Sequence, residues 1–283
     1  WESPLGDPMQ IAGAVPNIPW TDLSYSLVPN GSTLDYLQNA DYTGRFGVMK
    51  ESLVNGLYLS GQTSGEGYYA APGSDPSADL TGWKALLDAG EPYDGNAAAE
   101  AALTDIRTHH SSYYIDDSVA PAPMLISSGY TDDLFPADEA IRFYNKTRSL
   151  HPATPISLLF GDFGHQRSAN KPDVSAALQA RNDAWLDFYV KGTGSAPPQQ
   201  VESWTQTCPE TSGTASGGPF TAPSWAQLAK GEVRISDAAA KTIVAGTGSS
   251  TIAQQYDPVS SGGNPCRTAA SDDQSGVASY RAP

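Results

Sequence analysis

Two short stretches limit what this chain can fold into more than any others do. Residues 122–129 read Ala-Pro-Met-Leu-Ile-Ser-Ser-Gly, an apolar run that stops on Gly129, and Asp132 follows three residues later. Residues 155–161 read Pro-Ile-Ser-Leu-Leu-Phe-Gly, and Asp162-Phe163-Gly164-His165 follows at once. Each reads as a short buried strand with a polar side chain just past its C-terminal end. A helical stretch follows each: about 138–150, with Ile141, Tyr144 and Leu150 facing in, then Val174, Leu178, Trp185, Leu186 and Tyr189, stopped at Gly192. Strand, helix, strand, helix is the order of an α/β fold with a parallel sheet. Parallel strands deliver their C-terminal ends to one rim. Asp132 and His165 are therefore expected to meet there.

The flanking segments extend this plan. Residues 11–15, Ile-Ala-Gly-Ala-Val, read as a further buried strand ended by Pro16, and residues 24–44 as a connection with a brief helical turn. Phe46, Met49, Leu53 and Leu57 recur at helical spacing. Further helices are expected over Leu80–Ala89 and from Ala97 to about Tyr113, the latter capped by Asn96 or Asp94. This block, about 45–115, is longer than a crossover needs. It is read as a helical lid over the active rim.

After Gly192 the texture changes. Ser195-Ala196-Pro197-Pro198 reads as a linker, followed by β-like runs at Val201–Thr207, Glu232–Ser236 and Lys241–Val244, a helical turn at Trp225–Leu228, and a strand starting near Gly276–Arg281. The expected division is 1–194 for the α/β unit and 195–283 for a linker and an incomplete β-rich segment.

Composition narrows the partners. The 283 residues carry 16 basic and 31 acidic side chains, a net charge of -15, which disfavours nucleic acid and anionic membranes. Mean hydropathy is -0.36, and no apolar run approaches the roughly 20 residues of a membrane span. No metal ligand set and no cofactor motif is found. Cys208 and Cys266, 58 positions apart, match no zinc spacing; they read as a disulfide, which implies an oxidising, extracellular compartment, or else as two buried thiols. Asn30-Gly31-Ser32 and Asn145-Lys146-Thr147 fit a glycosylation sequon. The chain opens on Trp1, and an upstream portion is expected.

An acid that orients a histidine is two-thirds of a nucleophilic triad. Asp132 is preferred over Asp133 and Asp162, since Gly-x-x-Asp sets its carboxylate just past the strand. His165 is preferred over His109 and His110, neighbours on a helix that cannot share a ligand, and over His151, which suits a helix C-terminus. The third member is expected to be a serine in Gly-x-Ser-x-Gly, preceding the acid and then the histidine. No serine in the chain has glycine on both sides at two residues' distance.

Residues 123–133, Gly-Asp-Phe-Gly-His at 161–165 and Ala-Trp-Leu-Asp-Phe-Tyr-Val-Lys-Gly at 184–192 resemble the X-Pro dipeptidyl-peptidase and cocaine-esterase family of α/β-hydrolases. Ile11–Leu23 is similar to the strand and loop after that family's nucleophile helix. Thr207-Cys208-Pro209, residues 225–228 and residues 278–281 are similar to the lead-in of its β-sandwich. The resemblance implies a partial α/β-hydrolase fold, Asp132 as triad acid, His165 as general base, and a small peptide or ester as substrate. It also implies that the elbow and oxyanion segment lie upstream of Trp1, so that residues 1–283 alone are inactive. Two other readings compete. One is a non-catalytic binding or structural domain on the same scaffold, which the missing serine favours. The other is a carbohydrate- or wall-binding protein using Trp20, Trp83, Trp204 and Trp225.

Overall fold

The computed structural model describes residues 2–29, 46–63, 72–165, 168–208, 217–231, 239–244, 246–257, 259 and 266–281. Its centre is the pair of strands expected from the sequence, β1 (Met124–Gly129) and β2 (Ile156–Gly161). They run parallel and in register from Met124 opposite Ile156 to Gly129 opposite Gly161. Five of six residues in β1 and all six in β2 are buried, as expected of a sheet covered on both faces.

The side chains alternate between two layers, as the strand period requires. Ile126, Ile156, Leu158 and Phe160 face one way, onto Ala140, Ile141 and Tyr144. Leu125 and Leu159 face the other, onto Phe163, Val174 and Trp185. Helices lie on each side. Counting helices along the chain, α1 is Leu23–Leu27, α2 Glu51–Thr63, α3 Leu80–Asp88, α4 Ala97–His109, α5 Ala137–Leu150 and α6 Pro172–Tyr189. Helix α5 supplies the first layer and α6 the second.

The first expected strand is present in weakened form. Ala14 bridges Met124 and Asn17 bridges Ser127, both parallel, so this segment lies beside β1. The Leu125 N–H donates to the Ala14 carbonyl and the Ser127 N–H to that of Pro16. The segment is half-exposed rather than buried, and Ile11 is exposed. Ile18, with φ of 44°, turns the chain sharply away. A β-branched residue there is strained.

The expected division at 194–195 does not interrupt the sheet. Strand β3 (Val201–Ser203) pairs in parallel with β2, and β4 (Phe220–Ala222) pairs antiparallel with β3. The sheet order is β1-β2-β3-β4. Beyond β4, the described residues hold short helices α7 (Trp225–Leu228) and α8 (Ser250–Ala253) and one bridge, Gln274 to Val277. Residues 241–244 are not a strand, and Ile243 and Val244 are exposed; an apolar pair without a ladder partner has no backbone reason to extend. The runs expected at 232–236 and the sequon at Asn30 lie outside the described residues. The second sequon sits inside α5 with Thr147 buried.

The helical block is as expected in kind but not in bounds. Helix α2 begins at Glu51, so Phe46 and Met49 precede it, and Leu57 is exposed. Helix α4 ends at His109, and Asn96 caps it by accepting from the N–H groups of Ala98 and Ala99. Leu150 at the end of α5 is also exposed. The block has its own small core of Val28, Leu87, Tyr93, Ala99 and Leu103, against which Phe46 and Met49 pack. Cys208 and Cys266 form a disulfide between the end of the sheet and the C-terminal tail. No helix among the described residues is long and apolar enough to cross a membrane.

Trp185 joins α6 to the sheet: it is 1% exposed and its indole donates to the Pro123 carbonyl. Trp185→Ala is expected to cost about 3–5 kcal/mol, measured as a lower urea midpoint at unchanged slope.

Candidate active site

Asp132 and His165 meet at the C-terminal rim of β1 and β2. His165 Nδ1 lies 2.8 Å from Asp132 Oδ2, with the carboxylate side chain fully buried and the imidazole 30% exposed. The same Oδ2 accepts the His165 backbone N–H at 3.1 Å, and Oδ1 accepts the N–H groups of Leu134 at 2.8 Å and Phe135 at 3.1 Å. The carboxylate accepts all of these bonds. The imidazole proton therefore sits on Nδ1, leaving the Nε2 lone pair free to take a proton. Among the described residues, Nε2 has no hydrogen-bond partner.

Two glycines permit this approach. A Cβ on Gly129 would lie 1.5 Å from the Phe163 carbonyl oxygen. A Cβ on Gly164 would lie 2.3 Å from Ser168 Oγ and 2.9 Å from Asp132 Oδ2. Any side chain at either position would push the two loops apart.

The competing residues have other work. Asp162 is fully buried; its oxygens accept the Thr131 hydroxyl at 3.1 Å and the Thr207 N–H at 3.3 Å, tying the Asp132 loop to the chain after β3. His109 is exposed and lies 3.9 Å from Asp105, one helical turn away. His151 Nε2 is 2.8 Å from the Asp117 carbonyl. Asp133 lines a cleft of about 740 Å³ beside the Asp132 loop, walled by Val48, Met49, Leu53, Tyr256 and Val277. That volume is in the range of small-molecule sites. The Lys50 ammonium also lines the cleft and donates to the Leu134 carbonyl at 3.0 Å. Burial lowers its pKa against the pull of Glu139, Asp132, Asp133 and Asp138. Among the described residues no group of three His, Cys, Asp or Glu is placed to hold a metal.

A buried polar network under the rim escaped the sequence reading. Glu139, in the first turn of α5, accepts the N–H groups of Thr21 at 2.7 Å and Asp22 at 2.9 Å, and the Ser26 hydroxyl. Asp22 pairs with Arg142 at 3.2 Å and accepts the Tyr114 hydroxyl at 2.7 Å. Acids at the start of an amphipathic helix look like ordinary dipole partners in sequence. Nothing local signals that they reach a loop more than 100 positions away.

No protein-family model matches the chain, and no curated protein is significantly similar to it.

Burial pushes the Glu139 carboxyl from its ordinary 4.5 up to about 8, against the hydrogen bonds from Asp22, Ser26 and Thr21 that pull it down; the Asp22 charge adds to the rise. The folded state thus holds this proton where the unfolded chain has released it. The stability it contributes is complete below about 4.5 and is lost as pH rises through about 8. Glu139→Gln keeps an oxygen for the two N–H groups and carries no titrating proton. It is expected to flatten the fall in melting temperature across that window, measured by calorimetry at stepped pH.

Proposed function

We propose that this chain supplies the acid and base of a serine hydrolase acting on peptide, ester or amide bonds. The observation that carries it is the 2.8 Å bond from a buried carboxylate to the Nδ1 of a part-exposed imidazole. His165 Nε2 takes the serine proton as the hydroxyl attacks the acyl carbon, then returns it to the leaving group; Asp132 holds the tautomer and balances the imidazolium charge. The order of the half-strand at 14–17, β1 and β2, with Asp132 and His165 after the last two, is what an α/β-hydrolase of the X-Pro dipeptidyl-peptidase and cocaine-esterase class requires. The nucleophile belongs to residues outside 1–283, because the chain has no elbow sequence. Residues 1–283 alone are then inactive. The disulfide fits a secreted enzyme, and the cleft beside Asp133 is the proposed seat of the substrate's acyl group.

A non-catalytic domain on the same scaffold is the second reading, favoured by the missing serine. That reading expects Asp132 and His165 to lie too far apart to bond, and they lie 2.8 Å apart.

The test is turnover of p-nitrophenyl esters and Xaa-Pro p-nitroanilides by the complete gene product, with fluorophosphonate labelling of its serine. Asp132→Asn and His165→Asn are each expected to lower kcat by about 10⁴-fold; Asp132→Asn is also expected to lower the melting temperature, because its amide NH2 would face N–H donors that the buried carboxylate accepts. Wild-type turnover in both variants would reject the hydrolase reading. Val48, 54% exposed at the cleft, offers a second check. Val48→Trp is expected to raise KM for bulky acyl groups and to leave small esters unaffected.

A further inference from the structure

Trp20 belongs to no helix or strand and is 45% exposed, so burial alone does not hold it. Three other contacts do. Its Nε1–H donates to the His110 carbonyl at the end of α4 at 2.8 Å. Its ring lies on Phe135, with centroids 5.1 Å apart and planes at 47°. Its backbone is bracketed by the strained Ile18 turn before it and by Thr21 and Asp22 after it, whose N–H groups are clamped by Glu139.

Phe135 in turn touches both members of the candidate pair. Its N–H donates to Asp132 Oδ1 at 3.1 Å. Its ring stands against the His165 imidazole in a T-shaped contact, centroids 5.2 Å apart and planes at 74°. The backbone bond fixes where Phe135 starts, but not which way its ring points. Trp20 and His165 both contact that ring.

We propose that Trp20 is a positioning residue for His165: through Phe135 it keeps the imidazole aligned with Asp132, and through the His110 carbonyl it ties that alignment to the helical insertion. Its catalytic meaning rests on His165 being the general base. The indole's hydrogen bond runs to the end of α4, so a shift of that helix end is passed to the ring. Alignment of the imidazole then follows the seating of the insertion.

The experiment reads the His165 Nδ1–H proton by NMR, assigned among the four histidines by its loss in His165→Asn. Trp20→Ala is expected to speed exchange of this proton with water about two- to tenfold, the population factor an aromatic pair commonly sets. Amides of β1 and β2 should keep their rates. Trp20→Phe keeps a ring on Phe135 and loses the bond to His110, and is expected to fall between. Wild-type Nδ1–H exchange in Trp20→Ala would overturn the proposal. So would equal acceleration of the strand amides, which marks general loosening. Turnover is measured separately in the complete gene product. An intact rate in His165→Asn would overturn the catalytic role of His165 itself, while the exchange data would still decide whether Trp20 orders the ring.

Discussion

The in-register parallel pairing of β1 with β2 is the constraint on which the rest of the molecule depends. Because Gly129 stands opposite Gly161, the two chains leave the sheet at the same height. Asp132 is the third residue past Gly129 and His165 the fourth past Gly161. Their polar side chains therefore have no room to diverge, and Asp132 and His165 come within 2.8 Å. A slip of one residue between β1 and β2 would put Ile126 and Leu158, now partners in one layer, on opposite faces of the sheet. The two hydrophobic layers thus enforce the geometry of the polar pair.

Around that pair the structure spends many hydrogen bonds on one carboxylate. Three backbone N–H groups and an imidazole converge on Asp132. Such a cradle fixes the carboxylate in one orientation. A second, deeper layer holds the segment leading into α1: Glu139 grips the backbone of Thr21 and Asp22, while Asp22 pairs with Arg142 and accepts the Tyr114 hydroxyl. Burying these charges is costly unless each is paired. The pairing ties α5, this segment and the end of the insertion into one unit. The aromatic row Trp20, Phe135, His165 runs along the top of that unit.

Much of this was legible in sequence because it is local. An apolar run ending in glycine, an acid at a fixed offset, and Gly-His after the next run are short-range patterns with few solutions. The α5 and α6 periodicities place Tyr144 and Trp185 in the core. The errors have local causes too. Phe46 and Met49 carry helical spacing but precede the helix, because their partners are Val28, Leu87 and Leu103 of other segments. Strand β3 reads as separate from the sheet because Pro197 and Pro198 look like a linker, and three residues give too little alternation to read.

By itself, the sequence determined the α/β class and the two strand ends that carry Asp132 and His165. Each of these follows from residue type at short spacing. Only the tertiary structure decided that β3 and β4 extend the same sheet, that Glu139 clamps a loop far away in the chain, and that Trp20 backs the ring that faces His165. The reason is that a burial cost or an aromatic contact depends on which surfaces meet, and separation along the chain says nothing about that until the sheet has formed.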